Sequence, residues 1–377
     1  MTGIRKFSMV MFALVITGYL AILMATEKQS YVLMLLALGA VATIVAIKSG
    51  KLNSIRADAP RNWPEALAIF GVLALTAWFH DEHFVLLMIA TVLFMSVVCF
   101  GLTIQMGYAG VVNFAGAAFF GVGSYTAAVL TKLAGLPDIF VLVVAGVVAA
   151  TIGSLLILPV LRTRGHYAAL VTIAFGILFK TFLEVNDVLG GPQGLKVSGL
   201  DLFGWKFNDN IEIGSLEISF YINYVALALV LFILAFSVTR RLERSWMGLA
   251  LDAVRLDEIA ASVFGISPAR WKILAFTLGN FLAGIAGAAF AMMLGFIAPN
   301  NFTIGDSLIM VSIVILGGLG NPWGVPLAAA IVIILPEKLQ VLQEYRFLLY
   351  AALVIVTLLV RPQGLLPRGM RVYPRMK

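Results

Sequence analysis

Residues 84–106 read FVLLMIATVLFMSVVCFGLTIQM, an apolar run with no charged side chain, relieved only by Thr91, Ser96, Thr103 and Gln105. Wound as an α-helix at ~1.5 Å per residue it is about 35 Å long, enough to cross a hydrocarbon core of about 30 Å. A rod apolar on every side has no water-facing surface, so this stretch predicts a membrane span. The same criterion marks twelve candidate spans along the chain, at about 7–25, 31–47, 64–79, 84–106, 109–131, 138–161, 166–189, 216–239, 271–297, 304–319, 322–336 and 346–360. The expected fold is an all-α integral membrane protein, a polytopic bundle of about 10–12 transmembrane helices with broken, Gly-rich segments.

Composition agrees. Of 377 residues, 61% are hydrophobic and 12% charged, and the mean hydropathy is +1.02; soluble domains hold about 45–50% apolar and about 25% charged residues. The run 7–25 follows Arg5 and Lys6 like a leader, but it lacks a small-x-small cleavage site and is of spanning length, so it reads as a first span. The net charge of +7 does not point to nucleic acid, because the basic residues sit in short segments between apolar runs rather than on one face. Cys99, the single cysteine, lies inside a span and reads as a small core residue.

Charge placement sets the orientation. With the N-terminus inside, the internal segments collect Arg5 and Lys6; Lys48, Lys51, Arg56 and Arg61; Arg162 and Arg164; Arg240, Arg241, Arg244, Arg255 and Arg270; and Arg361, Arg368, Arg371, Arg375 and Lys377. External segments hold only Lys28, Lys132, Lys196, Lys206 and Lys338. Cytoplasmic loops are enriched in Lys and Arg, so both termini are expected in the cytoplasm.

Two connecting segments are too long for turns. Residues 190–215 open with Gly190-Gly191-Pro192-Gln193-Gly194 and read as a folded external flap. Residues 240–270 lie inside; their Leu249–Val263 part reads as a short amphipathic helix, ended by Gly265 with Pro268 beyond. A charged helix lying flat on the cytoplasmic face is a docking element. Within the spans, the run Leu316-Gly317-Gly318-Leu319-Gly320-Asn321-Pro322-Trp323-Gly324 predicts unwound backbone, tolerated at membrane depth where it is buried in protein or lines a cavity.

No G-x-x-x-x-G-K-[ST] pattern occurs, and Ser49-Gly50-Lys51 lacks its upstream glycine and following hydroxyl. There is no H-E-x-x-H, no Cys/His metal spacing and no G-x-S-x-G; His80, His83 and His166 fall at span ends, where an interfacial imidazole is ordinary. No catalytic, cofactor or metal site is therefore expected, and ATP and Mg, if used, belong to partner subunits. Lys180 and Glu184 lie one turn apart within a span and form a polar wall of a solute path, a structural ion pair inside the bundle or a contact with a partner subunit. Gln105, Asn113, Ser124 and Tyr125 place polar groups in the Gly-rich region 101–131, as interhelical hydrogen-bonding groups or as the lining of a narrow path for a zwitterion. So little intramembrane charge argues against an ion-coupled secondary transporter, and Asp306, near a span end, reads as a helix cap.

The stretch from Gly107-Tyr108-Ala109-Gly110 through Asn113 and Gly116 to Gly123-Ser124-Tyr125-Thr126-Ala127 resembles the glycine-rich signature of the branched-chain amino acid ABC importer permeases, the LivM-like family. Ile173-Ala174-Phe175-Gly176 with Lys180, Gly190-Gly191-Pro192-Gln193-Gly194-Leu195, Gly265-Ile266 with Lys272 and Ala275-Phe276, Leu316-Gly317-Gly318-Leu319-Gly320, and Arg361-Pro362-Gln363-Gly364-Leu365 follow in family order. The resemblance implies a permease subunit in the bacterial inner membrane, working with a second homologous permease, two cytoplasmic ATP-binding subunits and an external solute-binding protein. It implies further that Glu258, Ala260, Ala261 and Gly265 belong to a coupling motif that docks on the ATPase. Residues 84–367 would form the permease, residues 1–83 an N-terminal addition with a basic loop, and residues 368–377 a basic tail. Ala117 replaces a frequent His of the first motif, and Leu189 a frequent Thr before the paired glycines. A urea or amide importer therefore stays open beside the neutral amino acid reading.

Overall fold

A computed structural model describes residues 63–133, 137–161, 167–202, 204–213 and 216–339, with shorter pieces between 17 and 39 and scattered positions between 345 and 368. The basic loop 48–63 (save Trp63), Arg162, Arg164, His166, the tail beyond Arg368 and much of the candidate spans 7–25, 31–47 and 346–360 lie outside the described residues. The helices are α1 (Trp63–Trp78), α2 (His83–Leu102), α3 (Gly116–Leu133), α4 (Asp138–Val160), α5 (Tyr167–Val185), α6 (Tyr221–Arg244), α7 (Trp246–Leu256), α8 (Glu258–Val263), α9 (Pro268–Leu294), α10 (Ile304–Gly317) and α11 (Gly324–Lys338). Six described helical stretches are long and apolar enough to cross a membrane, including α2 with its extension to Tyr108, α4, α5, α6 and α9. The chain is a multi-pass membrane protein.

Helix α9 is the central rod, packed on α2, α3 and α4. Its small residues make that possible: Gly279 faces Gly101, Gly284 faces Gly123, and Gly287 meets the Phe120 backbone. Water supplies no drive between helices in lipid, so backbone proximity and van der Waals contact must. A methyl at Gly123 would fall 2.6 Å from the Gly284 carbonyl carbon, and overpacking of this kind costs about 1–3 kcal/mol or more. Gly123→Val is accordingly expected to lower the thermal midpoint of the detergent-purified protein well below that of a Val exchange at the lipid-facing Ala174, which is exposed.

Several expected boundaries shift, each for a local reason. The span expected at 109–131 is helical only from Gly116, because α2 widens into a π-turn over Thr103–Tyr108 and residues 109–115 run non-helically, with Gly110 at φ +71°. The Ala109 amide bonds Ile104 O and the Val111 amide bonds Gln105 O, so the chain turns without orphaned donors. Helix α10 stops at Gly317, where Gly318 and Gly320 take φ of +109° and +82°, and α11 begins at Gly324, as the Gly/Pro density predicts. The expected amphipathic helix Leu249–Val263 is two helices. Asp257 adopts extended backbone (φ −156°) and its carboxylate accepts from the Ile259 and Ala260 amides, ending α7 and capping α8.

The 190–215 segment is folded, with a single 3-10 turn at Gly191–Gln193 and otherwise short strands among its described residues. Two short hairpins, Asp201–Leu202 with Trp205–Lys206 and Ile211–Ile213 with Leu216–Ile218, lie over one end of the bundle, and Leu195–Lys196 pairs with Phe296–Ile297 beyond α9. The expected span at 216–239 thus begins only at Tyr221. Fully buried Tyr224 pins this flap, taking the Leu200 amide at 3.1 Å and reaching the Met292 carbonyl at 3.1 Å and Asn208. His83 Nδ1 meets Ser219 Oγ at 2.7 Å at the same end.

Candidate functional site

At the Arg-rich end, opposite the flap, α6 leads into α7 and α8. Ser245 caps α7 by accepting the Gly248 amide, and Gly248, Ala250, Leu251 and Val254 bury one face. Ala261 anchors α8, and Gly265 at φ +80° turns the chain toward Pro268 at the start of α9. The outer face carries no such cover. Trp246, Leu256, Ile259, Val263 and Phe264 are each 72–84% exposed. Five large apolar side chains on and just beyond two short helices form an exposed ridge at the Arg-rich end.

Of the coupling residues expected here, Glu258 pairs with Lys272 Nζ at 2.5 Å and ties α8 to α9. Ala260 is exposed between the apolar residues, Ala261 is buried, and Gly265 supplies the left-handed turn. Trp246 packs edge-on against Trp271 at 5.4 Å between centroids, so the ridge is braced on α9 at a second point. Arg255 lays its aliphatic stem against Gly110, where a Cβ would come within 2.9 Å of Arg255 Cγ. Helix α7 therefore touches the unwound segment directly.

In the bundle interior, Gln105 and Asn113 are brought together. Gln105 Nε2 donates to Asn280 Oδ1 at 3.0 Å and to the Phe276 carbonyl at 3.3 Å, while its Oε1 accepts from Asn113 Nδ2 at 2.7 Å. Asn113 Oδ1 takes the Ala115 amide, Thr172 Oγ1 the Phe114 amide and Ser307 Oγ the Ala117 amide. These side chains satisfy the backbone donors that unwinding 109–115 leaves free, which is what lets broken backbone persist among apolar helices. Ser124 stands apart, donating toward the Phe120 and Gly287 carbonyls at 2.9 Å and bridging α3 to α9. Tyr125 is buried beside Phe179 and Phe302, and its hydroxyl has no hydrogen-bond partner among the described residues.

Lys180 and Glu184 form the expected i,i+4 pair at 3.4 Å, each about one third exposed on α5. They do not meet the Gln105 cluster in this conformation. Asp306 closes a capping box with Thr303 at the start of α10, the bland role expected of it. Among the described residues, no group of three or more His, Cys, Asp or Glu side chains is placed to hold a metal.

Sequence reasoning missed Asn280, Asp252 and Arg368. Asn280 carried a signal, an amide inside an otherwise apolar, Gly-flanked helix. Arg368 counts only as one of the basic residues of the internal segments and Asp252 carries no signal of its own, yet Arg368 Nη1 and Nη2 bind both Asp252 oxygens at 2.8 and 3.1 Å.

The family described as branched-chain amino acid transport system / permease component matches residues 83–358. The high-affinity branched-chain amino acid transport system permease protein LivM of Salmonella typhimurium is 37% identical over 281 residues, which is 71% of this chain and 66% of that protein. LivM of Escherichia coli is 36% identical over 283 residues, with the same coverage, so the match takes in just under two thirds of these relatives. The permease protein LivH of Escherichia coli is 26% identical over 293 residues, 72% of this chain and 91% of LivH. No solved structure matches. The broken Gly-rich helix, the paired glycines at Gly190 and the unwound segment that follows Gly317 all fall inside the matched region, and the chain belongs to the family of branched-chain amino acid transport system permease components.

Proposed function

We propose that this chain is a membrane-spanning subunit of an ATP-driven importer for branched-chain or other neutral amino acids in the bacterial inner membrane, with both termini cytoplasmic. It would hold no catalytic or cofactor site of its own. ATP and Mg would be bound by two cytoplasmic partner subunits, a second homologous permease would complete the membrane part, and an external solute-binding protein would deliver the solute to the flap at 190–215. The observation that carries this reading is the unpartnered apolar ridge of α7 and α8 at the Arg-rich end. A permease that hydrolysed or stored energy alone would have no use for it. Its occupant is a large apolar cleft on a soluble partner.

In the proposed cycle the ATPase pair moves α7 and α8, the rod α9 tilts through the Glu258–Lys272 and Trp246–Trp271 braces, and the bundle opens alternately to its two sides. Gln105, Asn113, Ser124, Tyr125 and the Lys180–Glu184 pair would border the solute path when it opens. A zwitterion offers the carboxylate and ammonium that such amides and a Lys–Glu pair complement.

The test is uptake into proteoliposomes holding the co-expressed complex, with leucine, isoleucine, valine, other neutral amino acids and urea compared. ATP-dependent uptake of an apolar amino acid is the expected result. Selective urea uptake would replace the substrate reading with the amide importer that Ala117 and Leu189 keep open. Ion-gradient-driven uptake by this chain alone would sink the ATP-driven reading altogether. Deleting residues 251–266 should abolish uptake while the chain still inserts in the membrane.

A further inference from the structure

The described C-terminal residues do not trail away from the bundle. Leu365 and Leu366 donate their amides to the Leu316 and Gly317 carbonyls at 2.8 and 3.2 Å, and Asn321 Nδ2 donates to the Leu366 carbonyl at 2.9 Å. The segment thereby satisfies carbonyls that the end of α10 leaves open, and it delivers Arg368 to a crowded point. The guanidinium makes its two-pronged bond to Asp252 on α7, its Nε lies 3.9 Å from Glu243 Oε1 at the end of α6, and its carbon sits 4.8 Å from the centre of the Tyr108 ring. A Cβ at Gly320 would stand 3.0 Å from Arg368 Cδ, and a Cβ at Gly107 would stand 2.6 Å from the Gly320 nitrogen. The π-turn that leads into residues 109–115 and the unwound segment after α10 therefore meet at this one side chain, and α7 is bonded to it.

We propose that Arg368 is the positioning residue that carries movement of helix α7 to the point where the π-turn 103–108, which leads into the unwound residues 109–115, meets the unwound residues 318–323. The proposal rests on the ATP-driven reading for the source of the movement, but the linkage itself is a property of this chain. Geometry requires an Arg. A planar fork holds both oxygens of Asp252 in fixed orientation while its face lies on Tyr108, which an ammonium cannot do at once. Its side chain is only 13% exposed, as is that of Glu243, with Asp252 at 15%, so the contacts are sheltered from the screening that empties surface pairs of value. If α7 shifts, Arg368 must travel with it or release a sheltered carboxylate, and travelling drags Tyr108 and Gly320. The Gln105–Asn113–Asn280 cluster begins within one turn of Tyr108.

A merely structural strap would behave differently, and the conservative variant separates the two. In the intact complex in nanodiscs, Arg368→Lys should assemble and keep the wild-type thermal midpoint within a few degrees. Amide hydrogen exchange over 103–115 and 318–324 should rise by about tenfold, the size expected of one link in a coupling chain. Solute moved per ATP hydrolysed should fall by a similar factor. Asp252→Asn should give the same exchange pattern, and the double variant no more than either alone. Exchange that rises only within 363–368, or unchanged exchange with wild-type solute moved per ATP, would overturn the proposal. If the wild-type complex moves solute without ATP, the importer reading fails while the exchange measurement still decides the linkage.

Discussion

Replacing Phe264 by Asp is expected to abolish ATP-driven uptake while leaving the permease folded. Phe264 is 84% exposed at the end of α8 and follows Val263 at 78%. Nothing in the bundle depends on its ring, so the free chain loses no packing. In a docked complex the same position becomes the dry centre of an interface, where truncating an aromatic anchor costs ~2 kcal/mol or more and an unpaired carboxylate costs further desolvation. That is a weakening of about thirtyfold or more at about 1.4 kcal/mol per decade. Association of the ATP-binding subunits, measured by co-purification of the tagged permease, should fall with uptake. Val188→Asp is the control: Val188 is 88% exposed at the flap end, and it should leave ATPase association at the wild-type level. Normal association of the Phe264→Asp permease would show that the ridge faces something else, most simply lipid.

The ridge was legible in the sequence as an amphipathic stretch, and its position was fixed by the basic residues around it. Its shape was not. A helical period runs through Leu249–Val263 without interruption, and only the choice of Asp257 to bond two downstream amides rather than continue the helix divides it. The two unwound segments show the same difference between them. At 316–324 the glycines and Pro322 announce the break. At 109–115 the residues are Ala, Gly, Val, Val, Asn, Phe and Ala, apolar enough to pass for helix, and the break is fixed by partners far away in sequence, Thr172 and Ser307. Lys180 and Glu184 were legible because their bond is local. Asn280 as the partner of Gln105, and Asp252 as that of Arg368, were not, since each contact spans more than a hundred residues and depends on how helices cross. The flap's small hairpins were hidden for another reason: strands of two or three residues are too short for an alternating pattern to appear.

Gln105→Leu is the substitution that decides what the polar interior is for. Leu fills nearly the same volume, so the packing term is small and the hydrogen bonds dominate. Its loss leaves Asn113 Nδ2 without its acceptor and Asn280 Oδ1 without its donor, and both residues are at most 1% exposed. Each abandoned buried group costs about 1–3 kcal/mol, whereas interhelical bonds measured in membranes average about 0.6 kcal/mol. The larger figure governs here, because the unwound 109–115 backbone is held by this network and a slack network exposes amides that lipid cannot satisfy. Asn280→Leu is the gentler change. Its Nδ2 already lacks a partner among the described residues, and Gln105 keeps the Phe276 carbonyl. The expected order of thermal midpoints in detergent is therefore wild type, then Asn280→Leu, then Gln105→Leu, with Gln105→Leu lower by several degrees and poor in uptake for that reason. A Gln105→Leu protein as stable as wild type that hydrolyses ATP but moves no solute would overturn the structural reading of this amide. It would leave contact with the passing solute as the only role of Gln105 in uptake.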